Sequence, residues 1–215
     1  ASEGNGIQSK NDEDITKGYV YIAGGNINIE NSKEGIEGTV ILIEDGVINI
    51  TATDDGLNSA SGSSTTTESE RINREIPESG EMPENGEMPT DGEMPTGGEM
   101  PTGGERPTGG TFQGMGGGQG GAFDENDANC YIAITGGTIT IDASGDGIDS
   151  NGSIYILGGT TYVSGPTNSG DGGLDYAGSA EITDGVLVVT GSIGMAQGLS
   201  DTSTQYSLMY NFAER

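Results

Sequence analysis

Residues 131–141 read YIAITGGTITI. Four apolar-leaning residues, a Gly-Gly turn and an alternating Thr/Ile run place Ile132, Ile134, Ile139 and Ile141 on one side of an extended chain. Period-2 alternation on both sides of a turn marks two half-buried strands. The same grammar recurs in YVYIAGGNINI from Tyr19, VILIEDGVINI from Val40, SIYILGGTTYV from Ser153 and SAEITDGVLVV from Ser179. With the turn as register, the column before it reads Val20/Ile22, Ile41/Ile43, Ile132/Ile134, Ile154/Ile156 and Ala180/Ile182. The column after it reads Ile27/Ile29, Ile48/Ile50, Ile139/Ile141, Thr161/Val163 and Leu187/Val189. A column so uniformly apolar requires a partner above and below each strand, as in a solenoid whose coils stack at ~4.8 Å.

A second signature lies between the strand pairs: NGIQS at Asn5, EGIEG at Glu34, DGLNS at Asp55, DGIDS at Asp146 and GGLDY at Gly172, with a weaker GMAQ at Gly194. The glycines Gly6, Gly35, Gly56, Gly147, Gly173 and Gly194 are spaced 29, 21, 91, 26 and 21 residues apart. Only the third step is too long for one coil, and removing residues 60–126 reduces it to 24. The expected architecture is all-β, a right-handed parallel β-helix of about six coils. Residues 1–59 form its N-terminal coils, 60–126 a low-complexity Gly/Pro/Met-rich insertion, and 127–215 the C-terminal coils of the same solenoid. The insertion carries hexapeptide repeats of the type GEMPTG from Gly80 to Gly109. Proline at every sixth position removes backbone donors and disfavours helix or central strand. Gly at every third position, which collagen needs, is absent.

Composition narrows function. The 215 residues contain 41 Gly, 3 Phe and no Trp, so the core must come from Ile, Val and Leu. The balance of 7 Lys and Arg against 34 Asp and Glu, net charge −27, opposes nucleic acid and anionic lipid as partners. No run approaches the ~18 apolar residues of a membrane span. Secretion, with any leader already removed, is the expectation. The single Cys130 reads as a small buried hydrophobe. There is no His, which removes the commonest general base and every Ser-His or Cys-His arrangement. The seven basic residues avoid the strand positions where a proton-abstracting base would stand, and the acids sit in Gly-rich corners rather than apolar pockets. A non-catalytic binder is expected.

Two sets of candidate site residues follow. Asp54, Asp55 and Asn58, then Asp146, Asp149 and Asn151, then Asp171 and Asp175 repeat an acidic pattern around the corner motif. Stacked carboxylates repel unless a cation intervenes, and hard oxygen donors suit calcium. The alternative is a solvated acidic edge that discourages aggregation. Outward strand positions carry Tyr19, Tyr21, Tyr131, Tyr155 and Tyr162, which form a line able to stack on sugar rings, or a face covered by the insertion or by another subunit.

The pieces DGIDSNG at Asp146, SGPTNSGDGGLDY at Ser164 and GMAQGLSDTSTQYS at Gly194 resemble a bacterial carbohydrate-binding domain-containing family of pectate-lyase-like right-handed parallel β-helices. That resemblance implies a secreted, calcium-containing, non-catalytic binder of cellulose or polygalacturonate-type polysaccharide, with calcium at Asp146, Asp149, Asp171 and Asp175. The runner-up is an extracellular, spore or cell-surface protein whose solenoids stack head to tail into filaments. It rests on the two ends: Asn5–Ser9 opens in mid-coil and QYSLMYNFAER still reads as strand. The other explanation of those ends is an excerpt of a longer chain. A regular Thr ladder for ice binding is not found, because the outward columns mix Asn, Val, Thr and Tyr.

Overall fold

The computed structural model describes residues 4–11, 14, 17–61 and 126–212. The GEMPTG repeats lie outside the described residues. Among those described there are fifteen β-strands and no α-helix, arranged in three five-stranded sheets. The first sheet contains β1 (Ile7–Ser9), β4 (Ile36–Gly38), β7 (Leu57–Ser59), β10 (Ile148–Ser150) and β13 (Leu174–Tyr176). The second contains β2 (Tyr19–Ile22), β5 (Val40–Ile43), β8 (Tyr131–Ile134), β11 (Ser153–Ile156) and β14 (Ala180–Ile182). The third contains β3 (Asn26–Ser32), β6 (Val47–Ala52), β9 (Thr138–Ala143), β12 (Thr160–Ser164) and β15 (Val186–Thr190). Every pairing is parallel, and strands three apart in sequence are neighbours, as stacked solenoid coils require. The stacking continues from β7 to β10, from β5 to β8 and from β6 to β9.

Both inward columns read from the sequence are in register: Val20↔Ile41↔Ile132↔Ile154↔Ala180 in the second sheet and Ile27↔Ile48↔Ile139↔Thr161↔Leu187 in the third. A third column, Ile7↔Ile36↔Leu57↔Ile148↔Leu174, comes from the corner motif itself. Together they form one core with twelve fully buried Ile and Leu side chains, so the driving force is aliphatic burial distributed along an axis. Cys130, immediately before β8, is buried as expected, and burial pushes its thiol up to about 12.

Thr161 is the polar exception in an Ile column. It is fully buried and its Oγ1 has no hydrogen-bond partner, which leaves a desolvated hydroxyl in apolar surroundings. Thr161→Val is expected to raise stability by about 1 kcal/mol, read as an upward shift of the thermal midpoint. A lower midpoint would show that the hydroxyl has found a partner.

Glycines make the corners before the third sheet: Gly25, Gly46, Gly137, Gly159 and Gly185 all have positive φ, between 74° and 122°. A Cβ at Gly185 would come within 2.7 Å of the backbone of Gly158 and Gly159. After β15 the chain crosses the end of the first two sheets. Gln197 bonds to Asp175 and Tyr176, and Ser200 and Thr204 bond to Ala180 and Ile182. Gly194 lies against Ser169 and not over Gly173, so the weak GMAQ signature does not continue the corner column. The segment read as a terminal strand, Gln205–Phe212, forms no strand.

The reason lies in one residue. Thr204 N–H donates to Ile182 O, as Thr183 does to Ile156, Leu157 to Ile134, Thr135 to Ile43 and Glu44 to Ile22. Two residues beyond each of those earlier donors stands a corner glycine; two beyond Thr204 stands Tyr206. A side chain at that position meets backbone and disfavours the required positive φ. The chain therefore fails to turn onto β15.

Candidate functional site

The corner motif places two polar columns side by side. Asn5, Glu34, Asp55 and Asp146 precede the corner glycines, whose N–H groups link successive coils: Gly6 to Glu34 O, Gly35 to Asp55 O and Gly56 to Asp146 O. Two positions after each glycine runs the outward column Gln8↔Glu37↔Asn58↔Asp149↔Asp175. Inward neighbours are Ile and Leu, so the outward residues are held at strand spacing with no freedom to separate.

The acids are partly held by amides. Asn5 Nδ2 donates to Glu34 Oε2 at 3.0 Å, and both Asn5 and Gln8 donate to Glu37. Asn58 Nδ2 donates to Asp55 Oδ2 at 3.2 Å, and Gln197 Nε2 to Asp175 Oδ1 at 2.8 Å. Backbone N–H groups hold the others. Asp55 Oδ1 accepts from Asp146 N at 2.8 Å, and Asp146 Oδ1 from Gly172 N at 2.5 Å, so each acid caps the corner of the following coil. The arrangement still crowds negative charge. Burial pushes the Asp55 carboxyl up to about 7, opposed by the Asp146 N–H and assisted by Asp54 and Asp146. Burial likewise lifts Asp146 to about 6, with Asp175 and Asp171 adding repulsion. Glu37 is also raised, by burial first and by Glu34 second.

Of the seven expected metal-site residues, Asp54 and Asp55 come together in one cluster, joined by Glu34, with one oxygen of each within 4.8 Å of the others. Asn58 joins Asp55 by its amide, and its Oδ1 is buried without a partner. Asp146 and Asp149 follow in the next coil, Asp149 in register between Asn58 and Asp175. Asp171 lies on the turn before β13, where it accepts from Asn168 Nδ2 at 2.8 Å and adds its charge to that around Asp146. Sequence reasoning missed Glu34, Glu37 and Lys33. The EGIEG motif contains both acids, with Glu in the positions that other coils fill with Asp or Asn. Lys33 Nζ lies 2.9 Å from Glu34 Oε1 and 3.0 Å from Asp54 Oδ2, and those partners raise its pKa further.

The expected line of exposed tyrosines is not open. Tyr155 is only 8% exposed and packs with Leu42 and Ala133 in a second apolar cluster, edge-on to Tyr131 with ring centres 6.3 Å apart. Tyr21 and Tyr131 border that cluster, Tyr19 is half-buried, and Tyr21 OH donates to Glu44 at 2.6 Å. Alternation names the side of the strand but not whether that side is covered. Tyr162, on the outer face of the third sheet, is the exposed member of the five.

Comparison with known proteins adds one match. A family described as "Carbohydrate-binding domain-containing protein" matches residues 1–80. No curated protein and no solved structure matches the chain.

Proposed function

We propose that the protein is a secreted or cell-surface, non-catalytic module that binds polysaccharide of the cellulose or polygalacturonate type. In this reading it is built as one right-handed β-helix, five coils of which are described instead of the six expected, with an insertion at residues 60–126. The family match over residues 1–80 carries the reading. The stacked parallel sheets support it, because they present fixed, regularly spaced side chains to an extended polymer at little entropic cost.

Calcium belongs to the proposal. The fit rests on the donor set: oxygen ligands alone, closely packed carboxylates, and the unpartnered Asn58 Oδ1. Asp54, Asp55 and Asn58, with Asp146 and Asp149 of the next coil, would hold the ion. Asp175 would extend the site along the column and Asp171 would border it. Bound calcium would neutralise the crowded carboxylates. Lys33 already supplies one positive charge to Glu34 and Asp54, which would leave Asp55 the carboxylate of that cluster with most need of a cation.

Co-sedimentation with insoluble cellulose and with calcium polygalacturonate tests the function. Because the chain is so acidic, retention on polygalacturonate is expected to fall about tenfold in chelator while cellulose retention holds, a difference of ~1.4 kcal/mol between the two polymers. Absence of retention on either polymer, with calcium present, would overturn the carbohydrate reading.

A further inference from the structure

Beyond the two sets of residues above, the end of the solenoid carries a groove. Among the described residues β15 has β12 on one side and no strand on the other, which leaves one edge of its main chain unpaired there. Because Tyr206 blocks the corner, residues 206–212 stand off from β15 and enclose with it a space of about 790 Å³, within the range of small-molecule and oligosaccharide sites. Its floor is Leu187 and Val189, core-column residues on which no further coil stacks among the described residues. Its wall includes Tyr206, Tyr210 and Phe212, all strongly exposed, the last two edge-to-face with ring centres 4.9 Å apart.

The charge pattern selects the occupant. In a chain of net charge −27, no Asp, Glu, Lys or Arg is among the described residues that line this groove. Its polar groups are neutral: the amides of Gln205 and Asn211, the hydroxyl of Ser207, and the open edge of β15. Aromatic faces combined with neutral donors and acceptors suit a ligand with alternating C–H faces and hydroxyls. Fully apolar ligands would leave the strand edge unpaired, and anionic ligands would meet a negative field with no compensating cation among the described lining residues.

We infer that this end groove, and not the tyrosine-bearing side face, seats a neutral, unbranched glycan segment, with Tyr206, Tyr210 and Phe212 as stacking residues. The inference rests on the carbohydrate reading and localises it. The test is calorimetry of the whole protein with a soluble β-1,4-linked glucose hexamer and with a galacturonate oligomer of equal length, in chelator, for wild type, Tyr206→Ala, Tyr210→Ala, Phe212→Ala and Tyr162→Ala. The groove side chains are exposed, so these variants are expected to keep the wild-type melting temperature. Each groove variant should weaken the glucose hexamer roughly three- to tenfold, and the galacturonate oligomer should bind the wild type more weakly than the neutral one. A neutral ligand with unchanged affinity in all three groove variants, or lost only in Tyr162→Ala, overturns the groove while leaving carbohydrate binding intact. Wild-type protein that binds neither oligomer nor either insoluble polymer removes both. Light scattering provides a further check: assemblies that dissociate in the groove variants would assign the groove to a second copy of the chain and overturn the inference.

Discussion

Gly56→Ala is expected to prevent folding, whereas Gly4→Ala should change stability by less than about 0.5 kcal/mol. Neither glycine has a φ that demands glycine; the difference is space. A Cβ on Gly56 would lie 2.3 Å from Ile141 Cγ2 and 2.5 Å from Gly147 O, both belonging to neighbouring strands and corners that cannot retreat without opening the core. At Gly4 nothing lies within 4 Å. Gly35 and Gly147 repeat the tight environment, each with an aliphatic side chain and the next corner's carbonyl within 2.5 Å of the added atom. Overpacking of one core position usually costs ~1–3 kcal/mol, and here the obstacle includes backbone. Circular dichroism and proteolysis of the two variants side by side give the measurement. A cooperatively folded Gly56→Ala with wild-type melting would show that the coils can separate at the corner.

The second large effect is that the protein should grow more stable as pH falls from 8 to 5 in chelator. Asp55 and Asp146 have folded-state pKa values near 7 and 6, above the ordinary value of 3.8. A carboxyl raised in this way binds protons more tightly when folded, so stability is lost as pH rises through the window from about 4 to 7 and regained as pH falls. Taken at face value the two shifts amount to several kcal/mol. Discounted for the water that still reaches both groups, they leave about 2–4 kcal/mol, a rise in melting temperature of several degrees. Asp55→Asn should keep the hydrogen bond to Asp146 N–H, remove the charge, raise stability at pH 8 and flatten the pH dependence. Millimolar calcium should also flatten it, by stabilising the ionised form of the same groups. A melting temperature independent of pH in chelator would contradict the crowded-carboxylate account; identical curves with and without calcium would contradict the metal while leaving the proton effect in place.

Parallel stacking in register was legible because the apolar columns are nearly invariant from coil to coil. Ile132, Ile139 and their counterparts fix both the faces and the neighbours. The corner glycines and their spacing were legible for the same reason. Three things were not. Tyr155 alternates as an outward residue, and alternation is blind to what packs on the outer face. Lys33 precedes the corner motif by one residue, and only the folded chain shows its ammonium bridging Glu34 to Asp54 of the next coil. The terminal YSLMYNF alternates like a strand, but its placement depends on the absence of a glycine before it, a negative signal that pattern matching on the strand itself does not register.

The pairing of β7 with β10 has a consequence for chain length. Ser59 and Tyr131 are separated by a long stretch of sequence, yet the coils before and after it pair in register, β7 with β10 and β5 with β8. For a flexible connection, closure entropy grows only logarithmically, by ~0.6 kcal/mol per doubling. Growing this link from about ten residues to about seventy therefore adds only ~2 kcal/mol to the cost of closure, less than deleting one buried aliphatic side chain of the core. A long connection after β7 therefore costs the fold little. Shortening, lengthening or replacing the connection there, or opening the chain at that point to create new termini, leaves the aliphatic columns that hold the coils together unaltered.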